Sequence, residues 1–301
     1  MDVRQLRCFL AVVDAGSISA AADALHLAQP SLSQTIATFE RSLGTPLFHR
    51  IGRRLVLTDA GRRLIGPARQ VLRDVEEARL SVRDLTDGRA GRLDLITMPS
   101  PGIEPLASLL RAVHRRFPAI TYNVAPAFTP DEVLAAVRGG ESEIGLLGAP
   151  APISATDLAV QALSEQHFVL VTMSDPRTAG PGDVDLAELA GARLIAPRDA
   201  SLMRSLIDEV VDRAGARIVA EVAHRSSVLP LVLAGLGDTI LPSAWVPAVR
   251  QAGATARPIF PDRRLHVAAV SRKSHRTPAA ELAMRTAAAL AARSPGEAGT
   301  A

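Results

Sequence analysis

The segment from Ser17 to Gly61, SISAAADALHLAQPSLSQTIATFERSLGTPLFHRIGRRLVLTDAG, constrains the fold more than any other part of the chain. It carries two short helical patterns joined by a tight turn and followed by an arginine-rich hairpin. Ser17 is a good N-cap, and Ile18, Ala21, Ala22 and Leu25 recur at helical spacing, which predicts a helix of about two turns. His26 and Leu27 form the turn. Gln29 and Pro30 open the next helix, where the missing N–H of Pro30 is no loss, and Leu32, Ile36 and Phe39 make its buried stripe. The other face holds Ser31, Ser33, Gln34, Thr35 and Thr38, short uncharged side chains rich in donors and acceptors that suit close approach to base edges and phosphates. After a buried turn at Leu43-Gly44-Thr45-Pro46-Leu47-Phe48, residues His49 to Thr58 read as a hairpin. Gly52 supplies a positive φ at its tip, and Arg50, Arg53 and Arg54 crowd around it. A polar helix face or three arginines alone would be ordinary solvated surface. In this order they predict a winged helix-turn-helix that reads the major groove.

The chain has 301 residues, 48% of them apolar, which allows two or three domains with ordinary cores. No stretch approaches the roughly 18 apolar residues of a membrane span, and the N-terminus MDVRQLRCFL lacks the order of a signal peptide. A soluble cytoplasmic protein without membrane attachment is expected. Cys8 is the only cysteine, inside an apolar helix beside Phe9 and Leu10, so neither an intramolecular disulfide nor a cysteine metal cluster can form. Residues 1–92 hold 14 Arg against 10 acidic residues, and residues 93–301 hold 20 basic against 21 acidic. The positive charge thus sits at the DNA-reading end, and its small size favours a few placed phosphate contacts over nonspecific coating. Lys273 is the only lysine; the bias to arginine runs along the whole chain and is not confined to the DNA face.

The run from Gln5-Leu6 through FLAVVDAGS, AAADALHLAQPSLSQTI, FERSLGTPLFHR and LTDAG resembles the N-terminal region of LysR-type transcriptional regulators across about sixty residues. The resemblance implies that Gln29, Pro30, Ser31, Ser33 and Gln34 begin the recognition helix and that Arg50, Arg53 and Arg54 lie in the wing.

From Asp59 to Asp87 the pattern becomes one long amphipathic run, with Leu64, Ala68, Val71, Leu72, Val75, Ala78, Val82 and Leu85 at three- and four-residue steps. A helix of about 43 Å follows at 1.5 Å per residue. The preceding 58 residues cannot cover so long a stripe, so it is expected to pack on the same helix of a second copy, although a helix laid on its own C-terminal domain is the alternative. Gly66-Pro67 should kink or interrupt it. A two-fold dimer would present recognition helices to successive grooves about 34 Å apart and prefer double-stranded DNA carrying an interrupted inverted repeat. That such proteins are commonly tetramers is implied by the resemblance alone.

Beyond residue 92 short β-branched runs alternate with helical stretches. Strands are expected at 93–97, 120–125, 143–147, 168–173, 193–196, 217–223, 239–241 and 265–271, and helices at 103–116, 130–138, 201–214, 228–235 and 278–292. Such alternation predicts an α/β fold with mainly parallel sheets. The organisation expected is a DNA-binding domain at 1–58, a linker helix at 59–88 and a two-lobed α/β domain at 89–301. Its first lobe covers about 92–162 and 266–293, its second about 163–265. This part resembles the substrate-binding domain of LysR-type regulators, which shares its architecture with periplasmic binding proteins. The clearest stretch is LVLAGLGDTILP, where Asp238 stands in place of the more usual apolar residue. The tail SPGEAGTA reads as disordered.

Small molecules bind open α/β sheets beyond the C-terminal strand ends. Those places are Pro99, Ser100, Pro101 and Gly102; Phe128 and Thr129; Pro197 and Arg198; and Arg225, Ser226 and Ser227 after His224. The serines could be mere N-caps and the arginines surface residues, but together they outline a site for a small-molecule effector, with a weak preference for an anion. Three features argue against an enzyme and against a cofactor or metal. There is no GxSxG, HExxH or phosphate-loop motif, Gly235-Leu236-Gly237 lacks the third glycine of a dinucleotide site, and the seven histidines are scattered singly. A purely architectural DNA binder would have no use for about 200 residues of two-lobed domain. A ligand-responsive DNA-binding regulator is the expectation.

Overall fold

A computed structural model of the chain describes residues 1–51, 54–87, 91–173, 182–198 and 201–293. Helices α1 (Val3–Ala15), α2 (Ile18–Ala24) and α3 (Gln29–Leu43) lead into a hairpin of β1 (Phe48–Ile51) and β2 (Arg54–Leu57), and α4 (Asp59–Asp87) follows at once. The Ser17 hydroxyl accepts from the Ala20 N–H at 3.2 Å and starts α2, while His26 takes a positive φ of 54° in the turn before α3. Leu32, Ile36 and Phe39 are buried as their spacing requires, and Phe9 of α1 meets Phe39 and Phe48 at centroid distances of 6.3 and 5.6 Å. Each such side chain contributes about 1.5–3 kcal/mol by leaving water. This aromatic knot ties the first helix to the reading helix and to the hairpin.

Helix α4 runs unbroken through Pro67, so the interruption expected there does not occur. Proline withdraws one backbone hydrogen bond, but the neighbouring turns are held from outside. Ala68 is buried, with Leu64, Ile65 and Leu72 packed against the N-terminal core, and Gly66 lies against the chain's own Gly139 carbonyl. The side chains of Ala78, Val82 and Leu85, and the tail from 294, lie outside the described residues.

The C-terminal part continues with β3 (Gly91–Thr97), α5 (Leu106–Arg116), β4 (Ile120–Pro126), α6 (Pro130–Arg138), β5 (Ile144–Ala149) and the 15-residue β6 (Leu158–Thr172). Then come β7 (Val184–Asp185), β8 (Arg193–Pro197), α7 (Leu202–Ala214), β9 (Arg217–Val222), α8 (Val228–Leu233), β10 (Thr239–Pro242), α9 (Val246–Gln251) and β11 (Thr255–Phe260). Strand β12 (Arg264–Arg272) and α10 (Pro278–Arg293) complete it. The main sheet has the order β4-β3-β5-β12-β6-β11-β7, with β10 also on β6. Residues 158–167 of β6 pair with β12, and residues 168–172 pair with β10 and β11. One strand therefore belongs to both lobes.

The sheets are mixed rather than mainly parallel. Strand β3 runs parallel to β4 and β5, β8 to β9 and β11 to β7, whereas β12 is antiparallel to β5 and β6, and β10 and β11 are antiparallel to β6. The chain leaves the first lobe along β6 and returns along β12, and two neighbouring crossings in opposite directions must pair antiparallel. Helix α5 starts at Leu106, three residues later than its pattern suggested, with Pro105 at its N-cap. At the glycine-rich turn, a Cβ on Gly237 would meet the Arg193 carbonyl oxygen at 2.5 Å. The Asp238 backbone then donates to that oxygen at 2.7 Å and accepts from the Ile195 N–H at 2.8 Å, so the position is used through its main chain.

A comparable close approach occurs at Gly61, where a Cβ would sit 2.3 Å from the Leu47 carbonyl oxygen and 2.7 Å from Leu57 Cδ2. Gly61→Ala should destabilise the N-terminal domain by about 1–3 kcal/mol through overpacking, read as a lower urea midpoint with an unchanged m-value.

Candidate functional site

In the N-terminal domain, Gln29, Pro30, Ser31, Gln34 and Thr38 are exposed on α3, and Ser33 and Thr35 are half-buried. Within this row Thr35 turns back to the Ser31 carbonyl at 2.9 Å, and Thr38 accepts from Arg41 Nη2 at 3.0 Å. Gln34 and Ser31 stand clear at the exposed end. The Glu40 carboxylate, on the side of α3 facing the hairpin, accepts from the Leu47 and Phe48 N–H groups at 2.7 and 3.1 Å. Charge-assisted bonds of this kind fix the angle between reading helix and wing. Nothing in the sequence pattern separated Glu40 from an ordinary surface glutamate. In the wing, Ile51 pairs with Arg54. Gly52 and Arg53 lie outside the described residues, as do the side chains of Arg50 and Arg54.

A cavity of about 270 Å³ opens between the two lobes of the C-terminal part. The first lobe lines it with Met98, Pro99, Ser100, Pro101, Phe128, Pro130, Gly148 and Pro150; the second does so with Ser201, Leu202, Met203, Ser205, Arg225 and Pro242; Phe168 and Leu265 come from the crossing strands. Of the residues picked out by sequence, Pro99, Ser100, Pro101, Phe128 and Arg225 meet here. Gly102, Thr129, Pro197, Arg198, Ser226 and Ser227 are not among the lining residues. Gly102 instead closes the turn behind Ser100 by donating to the Met98 carbonyl at 2.9 Å, and Thr129 forms a capping box with Glu132 at the start of α6. Pro197 is buried at the end of β8, with its carbonyl accepting from Arg204 at 3.3 Å, and Arg198 is exposed, bonded through its N–H to Val222. Ser226 is exposed, and Ser227 opens α8 without a side-chain cap. The strand-end rule found the first wall because its loops follow strands directly. It missed Ser201, Met203 and Ser205, which belong to the first turn of α7 and reach the cavity by helix placement. Gln166, buried on β6, donates to the Glu104 carbonyl at 3.0 Å and so ties the Ser100 turn to the strand shared by both lobes.

A third polar cluster joins the domains within one chain. Arg69 of α4 pairs with Asp14 of α1 at 2.6 Å and with Glu141 of the first lobe at 2.6 Å. One turn on, Arg73 donates to the Gly140 carbonyl. Gly140 holds φ at 68°, and a Cβ there would meet Arg73 Nη2 at 2.8 Å. Burial, with Arg272 alongside, lowers the Arg73 guanidinium to about 10. Burial likewise pushes the Glu143 carboxyl up, opposed by hydrogen bonds from Thr277 at 2.7 Å and the Asp94 N–H at 3.3 Å and by the charge of Arg73.

Two family models match the chain. Residues 3–62 fit the bacterial regulatory helix-turn-helix protein, lysR family, and residues 86–292 fit the LysR substrate binding domain. The nitrogen assimilation regulatory protein nac of Klebsiella aerogenes is 31% identical over 251 residues, 81% of this chain and 79% of that one. The HTH-type transcriptional regulator IlvR of Caulobacter vibrioides is 33% identical over 249 residues, 81% and 83% of the two chains. The crystal structure of full-length CbnR with its target DNA superposes with a TM-score of 0.65 at 25% identity, covering 97% of this chain and all of that one. These relatives are transcriptional regulators, not enzymes.

The raised Glu143 carboxyl sets a pH dependence. A carboxyl with a higher pKa folded than unfolded keeps its proton better in the native state, so its contribution is full below the ordinary value of 4.5 and is lost as pH rises through the folded value. Measured against Glu143→Gln, the wild-type protein should therefore lose stability as pH rises above the ordinary value of 4.5; a difference that grows with pH would contradict the assignment.

Proposed function

Because the chain belongs to the LysR family of DNA-binding transcriptional regulators that carry an effector-binding domain, we propose that α3 enters the major groove with Gln29, Pro30, Ser31, Ser33, Gln34, Thr35 and Thr38 toward bases and phosphates. Arg50, Arg53 and Arg54 hold the flanking backbone. Segments 1–58, 59–88 and 89–301 act as DNA-binding domain, linker and effector-binding domain. The carrying observation is that an exposed, uncharged polar helix face and a cavity shared by two lobes occur in one chain. A relative solved with its target DNA supports the reading.

In this proposal α4 pairs with its counterpart in a second copy, so that two reading helices span an interrupted inverted repeat, and family membership favours a dimer of such dimers. A small molecule in the cavity, bounded by Pro99, Ser100, Phe128 and Arg225 with Gly102, Thr129, Pro197, Arg198, Ser226 and Ser227 around them, shifts one lobe against the other. The contacts of Arg69 and Arg73 carry that shift to α4 and so to the spacing of the reading helices. Work on chromosomal DNA puts the protein in the cytoplasm. No helix among the described residues is long and apolar enough to cross a membrane.

Gln34→Ala should relax base preference, whereas Arg53→Ala should weaken binding to all sequences and reduce the salt slope by about one unit per lost phosphate contact. Identical behaviour of the two variants in salt-series binding assays would refute the division into base and phosphate contacts. Deletion of residues 89–301 should leave DNA contact but abolish the effector response.

A further inference from the structure

We propose that the interlobe cavity accepts a metabolite-sized monocarboxylate with an apolar body, its carboxylate shared between Ser100 of one lobe and Arg225 of the other. This rests on reading the cavity as the effector site and names the class of effector.

Size comes first. About 270 Å³ lies just below the range of roughly 300–1,000 Å³ for drug-sized pockets and equals the liquid volume of about nine waters. That size suits a small metabolite rather than an oligosaccharide. The walls come next. Met98, Phe128, Phe168, Met203 and Leu265, with several prolines, present apolar side chains, so a polyol hydroxyl buried against them would go unpaired at about 1–3 kcal/mol. The body of the ligand is therefore apolar.

Of the other polar lining residues, Ser201 caps α7 and Ser205 donates to the Ser201 carbonyl at 3.3 Å; Ser100 and Arg225 define the other end. Ser100 is 3% exposed, lines the cavity, and its hydroxyl makes no hydrogen bond with the described residues. Buried hydroxyls find partners, and the side of Ser100 open to the cavity is where a ligand would supply one. Arg225 is the only charged side chain among the described lining residues, and its guanidinium fork matches a carboxylate. Among the described lining residues there is no carboxylate, so a cationic ligand would find no counter-charge from them, and a second carboxylate on the ligand would face mostly apolar walls. Because Ser100 and Arg225 stand on different lobes, a carboxylate bonded to both favours their closed arrangement.

The full-length protein reports on itself. Trp245, the only tryptophan, lies three residues beyond the lining residue Pro242. Fluorescence titration with benzoate and 4-methyl-2-oxopentanoate, against benzamide, benzylamine and phthalate, should show one or both monocarboxylates binding at least tenfold tighter than the amide, amine or dicarboxylate. Ser100→Ala and Arg225→Gln should each raise the Kd for the bound acid tenfold or more, and Arg225→Lys should keep the preference for acids. Equal binding of benzamide, preference for benzylamine or phthalate, or no binding by any probe overturns the ligand class and leaves the cavity reading standing. Acid binding that persists in Leu202→Trp, which fills the cavity, would refute the cavity as the effector site instead.

Discussion

The C-terminal two-thirds of the molecule depend on one strand. Strand β6 pairs along its first part with β12 and along its second with β10 and β11, so the two sheets are continuous through a shared backbone. Any closing of the lobes must bend or twist this strand where its pairing passes from β12 to β10 and β11, between His167 and Phe168. The cavity takes its floor from the same place, since Phe168 and Leu265 belong to the crossing strands. A ligand there touches both lobes and the element that joins them. Gln166 extends this arrangement by fastening the Ser100 turn to β6 through the Glu104 carbonyl.

The contact between α4 and the first lobe gives that movement somewhere to go. Arg69 bridges acidic residues of two domains, and Arg73 reaches the Gly140 carbonyl through a gap that only glycine leaves open. Burying two arginines so close together is unfavourable by itself, as the downward shifts of Arg73 and Arg272 record. Glu143 lies near enough to offset part of that cost. Such a junction holds one relative placement of its parts better than a greasy contact would, because a small displacement strands buried charge. Redox signalling has no comparable equipment. The sole cysteine, Cys8, is buried in the N-terminal core, and burial raises its thiol, which keeps it protonated and unreactive.

Legibility followed how local each interaction is. The caps, stripes and turn of residues 17–48 were readable because N-capping by Ser17, the Leu32–Ile36–Phe39 stripe and Pro30 in a first turn are all settled within a few residues. The first part of β6, with Gln161, Ser164 and Glu165 among its apolar residues, looked like loop, and β11 was hidden by Pro258. Both become strands because neighbours far along the chain complete their hydrogen bonds. The effector candidates divided in the same way. Pro99, Ser100, Pro101 and Phe128, directly after strands of the first lobe, line the cavity, while Ser201, Met203 and Ser205 at the start of α7 were missed, since their direction is set by how that helix packs on the second lobe.

By itself the sequence determined that this is a winged helix-turn-helix joined by a long helix to an α/β domain, with an uncharged polar face on α3 and a single cysteine unfit for redox pairing. Those properties reside in periodicity, capping and composition, which act over one or two turns. Tertiary structure alone decided that the sheets are mixed, that α4 passes Pro67 unbroken while contacting its own first lobe, and that Ser100 and Arg225 face one cavity with Met203 and Phe168. Pairings between residues tens of positions apart depend on the entropy and packing of the whole chain, and no local pattern encodes them.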